Sequence, residues 1–363
     1  MTTKKETVMD IRIEQAEPHE LKRKPDQNAL GFGRYLTDHM FVMTYHADRG
    51  WHDAVIRKYQ PFWLDPAAMV LHYGQAIFEG MKAFRGQDDQ IRLFRPAANF
   101  ERMNVSATRM CMPTLPGAEV LTALKQLLYL DREWVPSAAG ASLYIRPAMI
   151  ASEPGLGVRP AKEYLFFIIK GPVGAYYPEG FNPVRIFVTD KYVRAVRGGV
   201  GAVKAAGNYA ASIKAAVEAQ QEGYTQVLWL DAVERRYIEE VGTSNIFFVI
   251  NGEVITPALS GSILPGITRD SVLRLTRDWG LKVTERPITI DEVIAAGKDG
   301  SLEEAFGTGT AAVISPVGAL CYKGEQVVIN QEQAGPLSQR LFDELQGIQY
   351  GTREDPYGWV VAI

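Results

Sequence analysis

Apolar and polar positions alternate along this chain in two rhythms, and the changes of rhythm outline its elements. From Leu30 to about Arg95, short runs rich in β-branched and aromatic residues alternate with turn signals: YLTDHMFVMTYH, then DRGW, then AVIRKYQPFWL. These predict strands. RPAANFERMNVSATRM and GAEVLTALKQLLYLDREWV space their apolar residues three and four apart and predict helices. ASLYIRPAMIA and EYLFFIIKGPV return to strand character. After the Gly-, Pro- and aromatic-rich stretch GPVGAYYPEGFNP, strands are predicted in VRIFVTDKYV and TQVLWLDA, with a helix between them in NYAASIKAAVEAQQEG. IEEVGTSNIFFVI and GEVITP predict a strand pair around the hairpin dipeptide Asn251-Gly252. ITRDSVLRLTRDWG predicts a helix led by a Pro265-Gly266 turn, and LEEAFGTGTAAVISPV a strand running into a Gly/Thr turn.

This pattern describes two mixed α/β domains. Residues 1–29 are polar and charged and read as a mobile arm, or an edge strand laid on the body. A smaller α/β domain follows over 30–173, an interdomain linker over 174–184, and a larger α/β domain over 185–363. The chain has 363 residues, 47 % hydrophobic and 22 % charged, enough to bury a core without disulfide staples. Its net charge of −3 carries no electrostatic footprint for nucleic acid or an anionic membrane. The cysteines Cys111 and Cys321 stand outside any CxxC pair or Cys/His cluster, so neither a disulfide framework nor a metal site is expected. The start of the chain has no apolar signal core, and apolar runs such as Tyr164 to Ile169 are too short to span a bilayer. The expectation is a soluble cytoplasmic protein.

Candidate chemistry lies mainly in the second half. Residues 198–212, GGVGAVKAAGNYAAS, form a Gly-rich bend that carries Lys204 to the start of a helix. A lysine in a confined loop loses its proton more easily and becomes an amine nucleophile; a solvated lysine in a flexible loop is the plainer reading. Glu240 enters an apolar strand, where a carboxylate needs a partner such as a ring nitrogen, while the adjacent Glu239 reads as an exposed strand-end charge. LPGITRDSV opens a helix with backbone amides at Ile267 and Thr268 that suit a phosphate. GTGTAAV, residues 307–313, adds the hydroxyls of Thr308 and Thr310 beside backbone that can approach a ligand closely.

Taken together, EVGTSNIF from Glu240 to Phe247, then Thr256, then LPGITR from Leu264 to Arg269, resemble the signature of fold-type IV pyridoxal-phosphate enzymes. In the first half FEGMKAF from Phe78, RLFRP from Arg92, YIRP from Tyr144 and GAYY from Gly174, with IQYG from Ile348, resemble the branched-chain amino acid aminotransferase family. The resemblance runs from about Leu30 to Gly351. It implies pyridoxal 5′-phosphate held as a Schiff base by Lys204, which would also shuttle the substrate α-proton. It further implies that Glu240 pairs with the ring nitrogen, that Tyr209 bonds the cofactor's phenolic oxygen, and that Arg194 and Thr243 lie close to the cofactor. The phosphate would meet Arg102, the amides of Ile267 and Thr268, and Thr310.

On the substrate side the resemblance implies an aromatic pocket of Phe32, Tyr73, Phe78, Tyr144 and Tyr176. Arg146 would meet the glutamate γ-carboxylate, and backbone from Gly309 through Thr310 to Ala311 the α-carboxylate. Tyr73 and the loop Leu156-Gly157-Val158 would reach over from a partner subunit, which implies a homodimer with shared active sites. The activity implied is ping-pong transamination between Leu, Ile or Val and 2-oxoglutarate. Some family members carry a redox CxxC after the GTA turn; here Ala312 and Ser315 stand there, so no such regulation is expected. A D-amino-acid aminotransferase or aminodeoxychorismate lyase would keep Lys204 and Glu240 but lack the Phe78–Phe84 and Tyr144–Pro147 blocks. A Rossmann dehydrogenase would need a third glycine and a downstream acid that GGVGAVK does not supply, and a non-catalytic binding protein would have no use for the lysine, carboxylate and phosphate cup together.

Overall fold

The computed structural model describes residues 9–174 and 181–363. Contacts divide the chain into two compact units, Met1–Gly174 joined by Gln349–Ile363, and Ala175–Ile348.

The first unit is built on an antiparallel sheet. Its elements are β1 (Arg12–Ile13), β2 (His39–His46), β3 (Gly50–Lys58), α1 (Met69–Tyr73), β4 (Ala76–Phe78), β5 (Met81–Arg85), β6 (Ile91–Phe94), α2 (Pro96–Arg109), α3 (Gly117–Leu130), β7 (Ser142–Ala151) and β8 (Glu163–Val173). The strands run in the order β1-β3-β2-β8-β7-β5-β6, with β4 paired to β7. Period-two alternation puts Leu143, Ile145 and Met149 of β7 on the face where Phe100 and Met103 of α2 and Leu124 and Leu127 of α3 complete the core. The other face carries Tyr144 and Arg146, half-buried. Within the core face Lys170 is buried, with Nζ 2.7 Å from Asp131 Oδ2. Asp131 also accepts from His39 Nδ1 at 2.7 Å, and His39 Nε2 accepts the amide of Ala16 at 3.0 Å. This network and the pairing of β1 on β3 tie the described part of the 1–29 segment to the sheet.

The second unit holds a mixed sheet. In chain order it contains β9 (Val184–Thr189), α4 (Ala206–Gln221), β10 (Gln226–Leu230), β11 (Ile238–Val241), β12 (Asn245–Ile250), β13 (Glu253–Thr256), α5 (Ile267–Asp278), β14 (Val283–Glu285), α6 (Ile290–Asp299), β15 (Leu302–Gly309), β16 (Val313–Tyr322), β17 (Glu325–Val328) and all but the last two residues of α7 (Pro336–Tyr350). The order is β11-β10-β9-β16-β15-β12-β13-β14, with β17 on β16. β9 and β10 are parallel, so α4 is their crossover helix. The hairpin at Asn251-Gly252 joins β12 to β13, with both turn residues at positive φ, 50° and 71°. The run IEEVGTSNIFFVI is not one strand: it breaks at 242–244 into β11, which pairs with β10, and β12, which pairs with β15.

The expected second domain, 185–363, is too long. Its last stretch forms β18 (Val360–Ala362), which pairs antiparallel with β6, while Phe84 packs edge-on against Tyr350 at 5.1 Å between ring centroids. The edge of the first sheet thus recruits the end of the chain. Part of the expected linker, 175–180, lies outside the described residues.

Candidate active site

Lys204 sits in the loop between β9 and its crossover helix, beyond the carboxyl end of a parallel strand, where α/β sheets commonly bind ligands. Asn208, in the first turn of α4, donates through Nδ2 to the carbonyls of Val200 at 2.7 Å and Val203 at 3.0 Å and so fixes the loop. Lys204 Nζ donates to the hydroxyl of Tyr209, on the same helix turn, at 3.0 Å. This hydrogen bond gives the amine a fixed direction at the start of α4.

Glu240 lies beside this pair at the end of β11, 3 % exposed. Burial pushes its carboxyl up to about 6, against the opposing pull of Arg194 and the amide of Leu264. Arg194 Nε is 2.7 Å from Glu240 Oε2, although its N–H is not aimed at any acceptor among the described residues. The attraction is thus mainly charge on charge. Glu240 Oε1 accepts from the Leu264 amide at 3.0 Å and from Asn245 Nδ2 at 3.2 Å, and Asn245 Nδ2 also reaches the Leu264 carbonyl at 2.9 Å. Arg194, Asn208, Tyr209, Ser212, Glu240, Gly242, Thr243 and Leu264 line one cleft.

The Leu264 loop leads into α5, whose N-cap residue is Gly266 and makes no side-chain cap. A Cβ at Gly266 would stand 2.0 Å from Asn245 Oδ1, so only glycine lets the loop pass this close. Ile267 and Thr268 occupy the first turn, where backbone amides and the helix dipole favour an anion. Thr310 and Ala311 lie, half-buried, in the loop of the β15–β16 hairpin, which closes on Val313 at φ 64°, an unusual conformation for a β-branched residue.

In the first unit the structure brings four of the expected substrate residues together. Phe32 packs edge-on against Tyr144 with centroids 5.1 Å apart. The Arg146 guanidinium lies 4.7 Å from the Phe78 ring centroid and 5.2 Å from that of Tyr144, and donates to the Tyr144 hydroxyl at 3.0 Å. Arg146 Nε is buried with no hydrogen-bond partner among the described residues. Arg102, on α2, is held by Glu79 through paired contacts of 2.7 and 2.9 Å. Tyr73 and Val158 are placed differently, exposed at 38 % and 85 %. The Tyr73 hydroxyl donates to the Leu156 carbonyl, which ties helix α1 to that loop. Tyr176 lies outside the described residues.

Residues 76–320 match the family model of class IV amino-transferases. The chain is 55 % identical to branched-chain-amino-acid aminotransferase 2 of Bacillus subtilis (strain 168) over 98 % of each chain. It is 53 % identical to branched-chain-amino-acid transaminase 1 of the same organism, over 98 % of this chain and all of that one. The chain belongs to the branched-chain aminotransferase family. Solved structures of such aminotransferases share its fold, which is the mixed α/β fold-type IV. One is from Thermoproteus uzoniensis with norvaline, with TM-score 0.74, 28 % identity and coverage of 89 % of this chain and 99 % of that one. Another, a T.th. enzyme with pyridoxamine 5′-phosphate, has TM-score 0.72 and 27 % identity over 88 % of this chain and 97 % of that one.

Against this branched-chain aminotransferase background, three features escape the sequence reading. Glu79, the buried counterion of Arg102, stands inside the FEGMKAF block, but nothing local marks its partner on α2. Asn245 stands inside the EVGTSNIF signature without showing that it links Glu240 to the Leu264 loop. Glu239 is not an exposed strand-end charge: it is 5 % exposed, because both faces of β11 are covered at this end.

Proposed function

We propose that this chain transfers the amino group of L-leucine, L-isoleucine or L-valine to 2-oxoglutarate, using pyridoxal 5′-phosphate, as a cytoplasmic homodimer. The observation that carries the reading is the pairing of Lys204 with Tyr209 beside the buried carboxylate of Glu240. These groups fit a phosphorylated pyridine aldehyde. An amine is present for the aldehyde, a buried acid for the ring nitrogen, and an α5 first turn without a side-chain cap for the phosphate. When bound, the cofactor supplies a carbonyl that carries the amino group and a ring that withdraws electrons.

The chain's residues supply the rest. Lys204 holds the cofactor and, when displaced by substrate, takes the proton from the amino acid's Cα. Tyr209 keeps that amine oriented. Glu240 faces the ring nitrogen and keeps its proton in place, and Arg194 favours the ionised form of Glu240. Thr243 borders the cofactor, while Ile267, Thr268 and Thr310 hold the phosphate. From the first unit, the proposal takes Arg102 for the phosphate, and Phe32, Phe78, Tyr144 and Tyr176 for the aliphatic side chain. It takes Arg146 for the distal carboxylate of 2-oxoglutarate, a role supported by its buried Nε. Thr310 and Ala311 receive the α-carboxylate. Tyr73 and Val158 serve the partner subunit's pocket, in keeping with their exposure.

The test is an assay of purified enzyme with each amino acid and 2-oxoglutarate, following formation of L-glutamate. L-leucine, L-isoleucine and L-valine should be substrates and Lys204→Ala should be inert. Activity confined to D-amino acids, or normal turnover by Lys204→Ala, would overturn the reading.

A further inference from the structure

Glu239 is a buried carboxylate that the chemistry above leaves unused. Its Oε1 accepts from the Ser262 hydroxyl, and Oε2 is buried with no hydrogen-bond partner among the described residues. Ser262 is itself fully buried. Since its one hydroxyl proton goes to Glu239, the 2.8 Å contact between the hydroxyls of Ser260 and Ser262 has Ser260 as donor. The Ser262 carbonyl accepts from Arg194 Nη2, which also donates to the Gly201 carbonyl at 3.2 Å. Arg194 Nε in turn lies 2.7 Å from Glu240. Ser262 is thus bonded through its side chain to one glutamate and, through its backbone and Arg194, to the other.

We propose that Glu239 is a positioning residue that anchors Ser262 and thereby holds Arg194 against Glu240. The proposal rests on the reading that Glu240 faces the ring nitrogen. Arg194 gains little orientation from Glu240 itself, because its N–H is not aimed at the carboxylate. Its direction comes instead from the Ser262 and Gly201 carbonyls, and the Ser262 carbonyl stays in place only while the Ser262 side chain is tied down. Arg194, Arg197 and Asp231 act on Glu239 electrostatically, and Arg194, Glu239 and Lys204 act on Glu240. Burial raises both carboxyls, so the two adjacent acids compete for the guanidinium of Arg194, which acts on both. A fixed Arg194 favours Glu240, with which it is in direct contact.

The experiment compares Glu239→Leu, Glu239→Gln and Ser262→Ala. Three quantities are measured: the affinity of cofactor-free protein for pyridoxal phosphate by fluorescence, the pH titration of the bound cofactor's absorbance, and kcat and KM for leucine. Glu239→Leu and Ser262→Ala should each weaken cofactor affinity about tenfold, move the absorbance titration, and lower kcat about tenfold with little change in KM, the scale of one hydrogen bond to a charged network. Glu239→Gln keeps an acceptor for Ser262 and should recover most of each loss. The double variant Glu239→Leu with Ser262→Ala should be no worse than either single one. Should Glu239→Leu fail to fold, Ser262→Ala and Glu239→Gln decide the matter. Unchanged affinity, titration and kcat in Ser262→Ala, or additive losses in the double variant, would overturn the proposal. Glu240→Gln separates the two readings: if it keeps full activity the role of Glu240 fails, and if it is inactive while Ser262→Ala is normal only the Glu239 proposal fails.

Discussion

The clamp between Glu79 and Arg102 makes a prediction whose size follows from its burial. Glu79 is fully buried and the Arg102 side chain is 9 % exposed, so solvent screens the pair little. Two parallel contacts at 2.7 and 2.9 Å give it the bidentate geometry of a strong charge-assisted pair. Glu79→Gln keeps the shape but withdraws the negative charge, leaving the guanidinium buried without its carboxylate. Breaking a buried pair from one side costs about 3–5 kcal/mol. At about 2–4 °C per kcal/mol for a domain of this size, unfolding of the cofactor-free protein should begin about 6–20 °C lower. Urea unfolding followed by tryptophan fluorescence measures the loss directly. If Arg102 meets the cofactor phosphate, that dianion replaces part of the missing charge, and saturating pyridoxal phosphate should stabilise the variant more than it stabilises the wild type. Replacing both partners, Glu79→Leu with Arg102→Met, should cost less than Glu79→Gln alone, since no buried charge is left behind. A loss below about 1 kcal/mol, the scale of an exposed ion pair, would refute the reasoning.

Arg146→Met should reduce kcat/KM for 2-oxoglutarate about 10- to 150-fold, the equivalent of one hydrogen bond to a charged group, and that for leucine far less; equal losses in the two half-reactions would remove its assigned role. Gly266→Ala must displace Asn245, whose Oδ1 would lie 2.0 Å from the new Cβ; a stability loss of about 1–3 kcal/mol and weaker cofactor binding are expected. For Glu240, a carboxyl raised to about 6 in the folded protein from 4.5 means that the folded state binds the proton more tightly than the unfolded state. Its contribution to stability is therefore most favourable below pH 4.5 and is lost as the pH rises through 6. Cofactor-free wild type should lose about 2 kcal/mol relative to Glu240→Gln over that interval, measured by urea unfolding at each pH; a difference that does not change with pH would contradict the burial argument.

Much of this architecture is legible from local pattern, because a helix packed on a sheet must present apolar residues at its own period. The spacing of Phe100, Met103 and Ala107 marks α2, and that of Val120, Leu124, Leu127 and Leu128 marks α3. Alternation along β7 separates Leu143 and Ile145 from Tyr144 and Arg146, so the half-buried face of the strand can be read before its neighbours are known. What stays hidden is non-local. Val360–Ala362 is too short to declare itself, and only the open edge of β6 makes it a strand. Glu79 and Arg102 are 23 residues apart, and their pairing depends on how α2 crosses the sheet. The burial of Glu239 beside Glu240 defies simple alternation, because a strand end covered on both sides leaves no outward face. The site residues matched by motif are those whose spacing the local fold imposes, such as Lys204 and Tyr209 across the start of α4. Their supports, Asn245, Ser262 and Glu79, come from folded geometry.

The central claim, that Lys204 holds a cofactor serving both half-reactions, is tested most directly by the absorbance of the purified protein with pyridoxal phosphate. The account predicts a visible band that L-leucine bleaches and 2-oxoglutarate restores, with borohydride fixing the cofactor on the peptide containing Lys204. A protein that shows no band with added pyridoxal phosphate, or whose cofactor is fixed on another lysine, would contradict it.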